Sequence, residues 1–500
     1  MRRFYWLLLF LLVSTLTYSQ KKREMRGVWI ATVANIDWPS SRDSSSSFQK
    51  QELVLLLDSL SKCGINTVIF QIRPTADALY RSDIEPWSEW LTGEQGKSPA
   101  DSSFDPLQVV VEESHKRCME VHAWINPYRV TNTPKSKLTS NHIYYKKPYL
   151  FKQYGDKIFF DPGQDETADY LLKVLKDILV RYDIDAFHLD DYFYPYPVGG
   201  KDFPDEETFK KNPNGFTNKA DWRRDNVNRI VMRIQQMVKE EKPWVQFGVS
   251  PFGVWRNKAK DEKGSDTKAG VTNYDDLYAD VLLWAEKGWI DYIAPQLYWE
   301  IGKTVADYAV LAPWWRANVP STCQLYFGLY ASGLEVNKPK AWKTPNELIR
   351  QMKYNQECVD IEGLLYYSTH YFLRNPQGLL DSLKTQYYAY PALPMEMKSS
   401  SEAHFPLNLR LEEDSVLRWD PVVAEGGEEA SYYVVYAFPD SSDCDFDDPK
   451  NIMMKTTETA VDLKKIPGWK KSVMYNLTVT SVNRFRKESE PYEFVLYIGK

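Results

Sequence analysis

Cysteine is scarce in this chain. Its 500 residues hold five, Cys63, Cys118, Cys323, Cys358 and Cys444, an odd number with no C-x-x-C pair. Neither a disulfide framework nor a cysteine zinc site is legible, and the thiols read as small buried hydrophobes. The six histidines form no H-x-H and no H-E-x-x-H, which argues against a zinc hydrolase. Gly253, Gly302 and Gly333 belong to no G-x-G-x-x-G, and no G-x-S-x-G elbow occurs, so dinucleotide binding and an ordinary serine hydrolase are set aside. No metal and no cofactor are expected. Basic charge is also short: 62 Lys and Arg against 68 Asp and Glu give −6. Loss of Arg2 and Arg3 with a leader would make it −6 − 2 = −8, which disfavours nucleic acid or an anionic membrane as partner.

Long apolar runs are missing beyond the N-terminus. Arg2 and Arg3 precede an apolar run over 4–13 and small or polar residues up to Ser19, the pattern of a cleavable signal peptide over 1–19. No cysteine follows the expected cut, so no lipid anchor is expected, and no later stretch approaches the ~20 apolar residues a membrane span needs. The expected location is outside the cytoplasm: periplasm, cell envelope or surroundings. Nothing requires more than a monomer.

Aromatic residues are plentiful, at 14% with 17 Trp and 33 Tyr. Flat rings at strand ends can stack on the apolar faces of sugars, although core packing is the plainer use of any single one.

Short β-rich runs at 25–33, 66–73, 120–127, 185–192, 245–252, 291–299, 324–330 and 363–369 alternate with amphipathic stretches at 49–62, 106–117, 167–182, 222–241, 274–287 and 345–357. Eight strands separated by helices over some 350 residues predict an α/β fold, a (β/α)8 barrel of the TIM type, with a doubly wound open sheet as the alternative. Polar residues recur at one parity near the C-terminal ends of these strands: Gln71 and Arg73, Trp124 and Asn126, His188 and Asp190, Ser250, Gln296 and Tyr298. Parallel strands are normally apolar on both faces, so this repetition marks a shared site at one barrel mouth.

After Pro391 the texture changes. A linker-like stretch, 393–404, leads to alternating strands at 407–411, 415–419, 432–438, 460–463, 475–482 and 492–498. With Trp419 they resemble a fibronectin type III sandwich over 405–500. The barrel domain is accordingly placed at 20–392.

The chemistry is concentrated in Phe187-His188-Leu189-Asp190-Asp191-Tyr192-Phe193-Tyr194-Pro195, an apolar strand ending in two carboxylates among aromatics. Glycosidic hydrolysis uses a carboxylic acid to protonate the leaving oxygen and a second group across the ring as nucleophile or base. Asp190 and Asp191 are the catalytic candidates, and their aromatic surround would raise the pKa of an acid. Strict alternation puts them on opposite faces, one in catalysis and the other orienting. The plainer alternative has Asp191 capping a loop and Asp190 paired with Arg73. Asp37, Asp77 and Glu300 follow other strands and are candidates for the second acid. Arg73, Arg129, Asn126, Gln71, Gln296, Trp124, His188, Tyr192, Ser250, Tyr298 and Trp299 are candidates for binding hydroxyls, an acidic substituent or a sugar face.

Six motifs in order, Arg26-Gly27-Val28-Trp29-Ile30-Ala31-Thr32 with Asn35-Ile36-Asp37-Trp38-Pro39, Phe70-Gln71-Ile72-Arg73-Pro74, Ala123-Trp124-Ile125-Asn126-Pro127-Tyr128-Arg129, the Asp190-Asp191 segment, Gly248-Val249-Ser250-Pro251-Phe252-Gly253 and Ala294-Pro295-Gln296-Leu297-Tyr298-Trp299, resemble bacterial glycosyl-hydrolase-like family ten over 24–390. The resemblance implies a TIM-type barrel, secretion to the cell envelope, and glycosidase activity that in some members acts on peptidoglycan strands stripped of their stem peptides. Asp190 and Asp191 match the family's acidic motif. Gln71, Arg73, Asn126 and Gln296 match its polar strand ends. The chain departs in lacking a lipobox cysteine and in carrying the C-terminal sandwich. The expectation is an exported glycoside hydrolase with a polysaccharide substrate; the alternative is a non-catalytic glycan-binding or scaffold protein of the envelope.

Overall fold

The computed structural model describes residues 20–499 apart from 338, 344–345, 360, 399–400, 424–428, 440–442, 467–468 and 470–471. The expected signal peptide, 1–19, lies outside the described residues.

Nine strand segments form one parallel sheet: β1 (Met25–Ile30), β2 (Thr67–Arg73), β3 (Glu120–Ile125), β4 (Ala186–Leu189), β5 (Gln246–Val249), β6 (Tyr292–Ile293), β7 (Gln324–Leu325), β8 (Phe327–Tyr330) and β9 (Gly363–Tyr367). Tyr326 alone separates β7, which pairs with β6, from β8, which pairs with β9. They are two pieces of one strand, and because β9 also pairs with β1 the ring closes. The result is the TIM-type barrel that the strand pattern predicts, and the open-sheet alternative falls.

β1 and β2 are buried along their whole length, as strands sandwiched between lumen and helices must be. Val28, Ile30, Val68 and Phe70 meet the helical layer, while Trp29, Ile69, Trp124, Ala186, Tyr292, Tyr326 and Leu365 fill the lumen. Helices start where a side chain satisfies the first free backbone N–H groups. Ser45 caps Ser46–Lys62, Asp105 followed by Pro106 caps Pro106–His115, and Asn218 caps Lys219–Glu241. The helix expected over 274–287 forms only at Val281–Glu286. Upstream the chain is held in a loop by side-chain bonds, Asp276 accepting from the Thr272 N–H (2.8 Å) and Asn273 donating to the Phe252 carbonyl (2.7 Å). Such local bonds compete with helix.

Gly248 in β5 lets Tyr292 lie across the lumen. A Cβ at Gly248 would sit 2.1 Å from the tyrosine Cζ. Gly248→Ala is therefore expected to cost ~1–3 kcal/mol by overpacking, read as a lowered urea midpoint. An unchanged midpoint would mean that the ring can move aside.

The C-terminal region builds two antiparallel sheets. One joins β10 (Arg410–Glu412), β11 (Val416–Arg418) and β14 (Ala460–Asp462); the other runs β13 (Ile452–Thr456), β12 (Tyr432–Pro439), β15 (Met474–Val482), β16 (Phe494–Ile498). β13 has no counterpart among the expected strands. Leu417, Trp419, Tyr433, Val435, Val461 and Leu477 fill the space between the sheets. The outer face of β12 instead packs Tyr432, Val434, Tyr436 and Phe438 with Cys118 and Leu393 beneath the barrel. The stretch 393–404, expected as a linker, is thus packed at its start: the Leu393 N–H donates to the Lys22 carbonyl (2.8 Å) and its carbonyl accepts from the Glu24 N–H (3.0 Å).

Candidate active site

A cleft of about 380 Å³ opens at the C-terminal end of the barrel strands, with Asp190 and Asp191 in its wall. Strand β4 stops at Leu189. Beyond it the backbone no longer alternates, so both carboxylates enter the cleft, which corrects the expectation that adjacency on a strand would separate them.

Their surroundings differ. Asp190 accepts from the Trp124 indole Nε1–H (3.0 Å), the Asn126 amide (3.0 Å) and the Tyr192 backbone N–H (3.3 Å). Asp191 accepts from the Tyr196 hydroxyl, and Gln296, whose Nε2 donates to the Ser250 carbonyl (2.8 Å), lines the same cleft. Burial raises both acids, and the Arg129 charge, then Trp124, hold Asp190 back. Asp191 is pushed up to about 7, first by burial and then by the negative charge of Asp190. Two carboxylates at one site resist ionising together. The donors around Asp190 favour its charged form, so Asp191 is the more readily protonated of the two.

Arg129 is fixed by its own donation to the Pro74 carbonyl (3.1 Å) and lies over the Tyr192 ring at 4.9 Å. Its loop is held by the hairpin Phe151–Tyr154 and Lys157–Phe160, whose Ile158 carbonyl accepts from the Val130 N–H (3.0 Å). Opposite stand Trp29 and a stack in which Tyr298 lies 5.1 Å from Tyr330 and 5.9 Å from Tyr367. Gln71 faces the cleft with one end already committed: Oε1 accepts from the N–H groups of Thr32 (3.0 Å) and Val33 (2.9 Å). That orients the amide, and its buried Nε2 has no partner among the described residues.

The cleft thus brings together Gln71, Trp124, Arg129, Asp190, Asp191, Tyr192, Ser250, Gln296 and Tyr298. Asn126 stands behind it, in contact with Asp190. Arg73 is elsewhere: fully buried, it grips Glu85 with two bonds of 2.7 and 2.6 Å and donates to the Asn126 carbonyl (2.6 Å). The possible Arg73–Asp190 pair does not form. His188 lies below the cleft floor, bonded to Ser250, Tyr292 and Trp29. Trp299 packs on Phe252, 5.3 Å between centroids.

None of the three second-acid candidates lines the cleft. Asp37 is consumed by the Ala31 and His370 N–H groups (2.7 Å each) and the Ser368 hydroxyl (2.7 Å). Burial raises it to about 6. Asp77 is fully buried on Thr75 and Gln95, and burial raises it to about 7. Glu300 accepts from the Trp342 indole (2.8 Å) and pairs with Lys303. Trp29, Val33, Ala34, Ile36, Asn132, Tyr196 and Tyr367 also line the cleft and were not singled out as site residues. For Tyr196 and Tyr367 the signal was available, since both sit in aromatic runs at the end of a strand.

The chain matches the family model described as glycosyl hydrolase-like 10 over residues 24–344. The chain belongs to that family. It is 48% identical over 383 residues to the glycosyl hydrolase YngK of Bacillus subtilis, covering 76% of this chain and 74% of YngK. It is 39% identical over 384 residues to the glycosyl hydrolase DigH of Escherichia coli K12, covering 72% of this chain and 86% of DigH. Among solved structures, the catalytic domain of β-amylase from Paenibacillus polymyxa is similar at 9% identity and a TM-score of 0.48, over 74% of this chain and 99% of that one. Both DigH and YngK are named glycosyl hydrolases, and the Asp190-Asp191 cleft of this family member lies at the mouth of its barrel.

Proposed function

We propose that the protein is an exported glycoside hydrolase acting on a polysaccharide of 2-acetamido sugars, such as peptidoglycan glycan strands without stem peptides. The observation that carries this reading is the asymmetric carboxylate pair in the cleft wall: Asp190 held by the Trp124 indole, the Asn126 amide and the Tyr192 N–H, beside Asp191, which accepts from the Tyr196 hydroxyl and which burial and the Asp190 charge push up to about 7. The N-terminal pattern over 1–19 supports export. The three-plus-four strand arrangement supports a fibronectin type III-like reading of the C-terminal domain.

Among the described residues, Asp190 and Asp191 are the sole carboxylates lining the cleft. The usual opposed pair is therefore replaced by a group the substrate brings. In this mechanism the Asp191 carboxyl donates its proton to the glycosidic oxygen as the C1–O bond breaks. The carbonyl oxygen of the neighbouring 2-acetamido group closes on C1 to give a cationic ring that keeps its N–H, and Asp190, with an acceptor site still free, accepts a hydrogen bond from that N–H and balances its charge. Water then adds to C1, the ring opens back to the acetamide, and the proton lost by water returns to Asp191. Two inversions give net retention. The free Nε2 of Gln71 supplies a donor for a substrate oxygen, and the Tyr298–Tyr367 wall offers a face for a sugar ring.

The test is incubation of the mature protein with peptide-free glycan strands, N-deacetylated strands and soluble polysaccharides, with mass spectrometry of the products. Cleavage of acetylated strands with retained configuration is expected. Binding without cleavage would make the protein a glycan binder, and equal cleavage of deacetylated strands would remove the substrate's part in the mechanism.

The pH profile follows from the pair. Because Asp191 acts with its proton on, kcat is expected to decline as pH rises through about 7, and to decline again on the acid side as Asp190 is neutralised. A flat profile from pH 6 to 9 would exclude Asp191 as the donor.

A further inference from the structure

A continuous chain of buried polar groups runs down the barrel lumen from the cleft floor to the C-terminal domain. Trp29 and Ser250 line the cleft, and both reach His188 Nε2, at 3.2 and 2.8 Å. His188 Nδ1 lies 2.9 Å from the Tyr292 hydroxyl, which lies 2.8 Å from His122 Nδ1. His122 Nε2 is 3.2 Å from Glu120 Oε2. The other oxygen of Glu120 is held by Arg486 Nε, whose guanidinium also donates to the Asp185 carbonyl (3.2 Å). Arg486 belongs to the turn that follows β15, so the sandwich plugs the bottom of the barrel with a cation.

One arrangement of protons satisfies every contact in this chain. An indole nitrogen only donates, so His188 Nε2 accepts from Trp29, with the Ser250 hydroxyl (2.8 Å) turned to the same lone pair, and the ring proton is on Nδ1. Burial, followed by the neighbouring His122, keeps that ring neutral. The Tyr292 oxygen accepts from His188 and spends its single proton on His122 Nδ1. His122 then carries its proton on Nε2 and donates to Glu120, the side chain that Arg486 grips. The two histidines hold opposite tautomers, and every donor points toward the ion pair.

We infer that Arg486 of the C-terminal domain is a positioning residue for the cleft, acting through Glu120, His122, Tyr292 and His188 to fix the direction of this hydrogen-bond chain and so the placement of Trp29 and Ser250. Without Arg486 the buried Glu120 has no cation beside it, and one proton added anywhere on the Glu120–His122 contact leaves an N–H on His122 Nδ1, facing Tyr292. The tyrosine proton turns to His188 Nδ1, and the His188 proton moves to Nε2. That proton goes to the Ser250 oxygen, 2.8 Å away, so the Ser250 hydroxyl must turn, and the Trp29 indole N–H loses its acceptor and faces a second donor, which shifts both residues in the cleft wall.

The functional part rests on the proposal that this cleft is the glycosidase site; the tautomers can be read without any activity. Full-length protein labelled with 15N-histidine, which has six histidines, is compared by long-range 1H–15N NMR with four variants, alongside kcat and KM on glycan strands. The unmutated protein is expected to carry His188 as the Nδ1–H form and His122 as the Nε2–H form. Arg486→Met is expected to reverse His188 and lower kcat about 10- to 100-fold, with KM changed far less. Arg486→Lys should keep both tautomers and most of kcat. Glu120→Gln/Arg486→Met should restore them, because an uncharged acceptor again faces His122. Arg484→Ala, which removes the Asp183 pair (2.9 Å) and the cation–ring contact with Trp244 (5.2 Å) at the domain boundary but leaves the lumen chain untouched, should change neither. If Arg486→Met does not fold, Glu120→Met/Arg486→Met takes its place: with no acceptor for Nε2–H and no unpaired charge, it reverses the chain by the same logic. Equal tautomers in the unmutated protein would overturn the inference, as would a fall in kcat with His188 unmoved or a reversed His188 with kcat intact. Correct tautomers in a protein that cleaves nothing would instead sink the glycosidase proposal and leave the hydrogen-bond chain standing.

Discussion

Asp191→Asn is expected to lower kcat by about 10²- to 10⁴-fold, the usual contribution of a positioned general acid, while making the protein more stable at pH 8. The amide keeps the shape of the carboxyl, and its oxygen can still accept from the Tyr196 hydroxyl, so the loss isolates the proton. The stability gain follows from linkage. An unfolded Asp titrates near ~3.9, whereas folded Asp191 titrates at about 7 because of its burial and the charge of Asp190. Between those values the folded state holds a proton that the unfolded state has lost, so stability declines with rising pH across that window, by about 1.4 kcal/mol per pH unit. Asparagine has no proton to lose. The variant should therefore melt higher than the parent at pH 8 and near the parent at pH 4, in thermal scans of both proteins. A melting difference of the same size at both pH values would mean that Asp191 is not the group holding the proton. Asp190→Asn should also depress kcat, and the double variant should lose little more than the worse single one, since the two acids act as a unit.

Alternation along strands revealed which face a residue takes, and that was enough to bring Gln71, Trp124, Ser250, Gln296 and Tyr298 to one cleft. It gave no depth. His188 has the right parity but sits one layer lower, where Trp29 and Tyr292 enclose it. It also presumes a regular strand. The register of β2 on β3 shifts between Gln71 and Arg73, which turns Arg73 away from the lumen and toward Glu85, and β4 ends one residue before Asp190. Loop acids were beyond pattern reading for another reason: Asp37 and Asp77 are consumed by donors that only the folded loop supplies. The seat of Arg486 on Glu120 joins residues 366 positions apart, and no local pattern marks such a partnership.

Arg73→Met is expected to destabilise the protein by about 3–5 kcal/mol, because it strands Glu85 as an unpaired buried charge. Both side chains are wholly inaccessible, so no water can replace the guanidinium. Removing the partner as well, in Arg73→Met/Glu85→Leu, should recover most of that loss, since an apolar pair of similar volume avoids the desolvation of two ions. Activity should not recover with it. The Arg73 Nη1 also holds the Asn126 and Pro127 carbonyls, at 2.6 and 3.1 Å, and these residues begin the segment whose Asn126 side chain supports Asp190 and whose Arg129 lies beside it. With that clamp gone the donors to Asp190 lose their fixed positions, and displacement of about 1 Å at a catalytic group can cost ~10²-fold. Urea denaturation and kcat measured on the same three proteins separate the two effects: the double variant should be nearly as stable as the parent and still slow. Recovery of kcat together with stability would mean that Arg73 serves folding alone, and that the loop carrying Asn126 and Arg129 holds its shape through the hairpin at Phe151–Phe160.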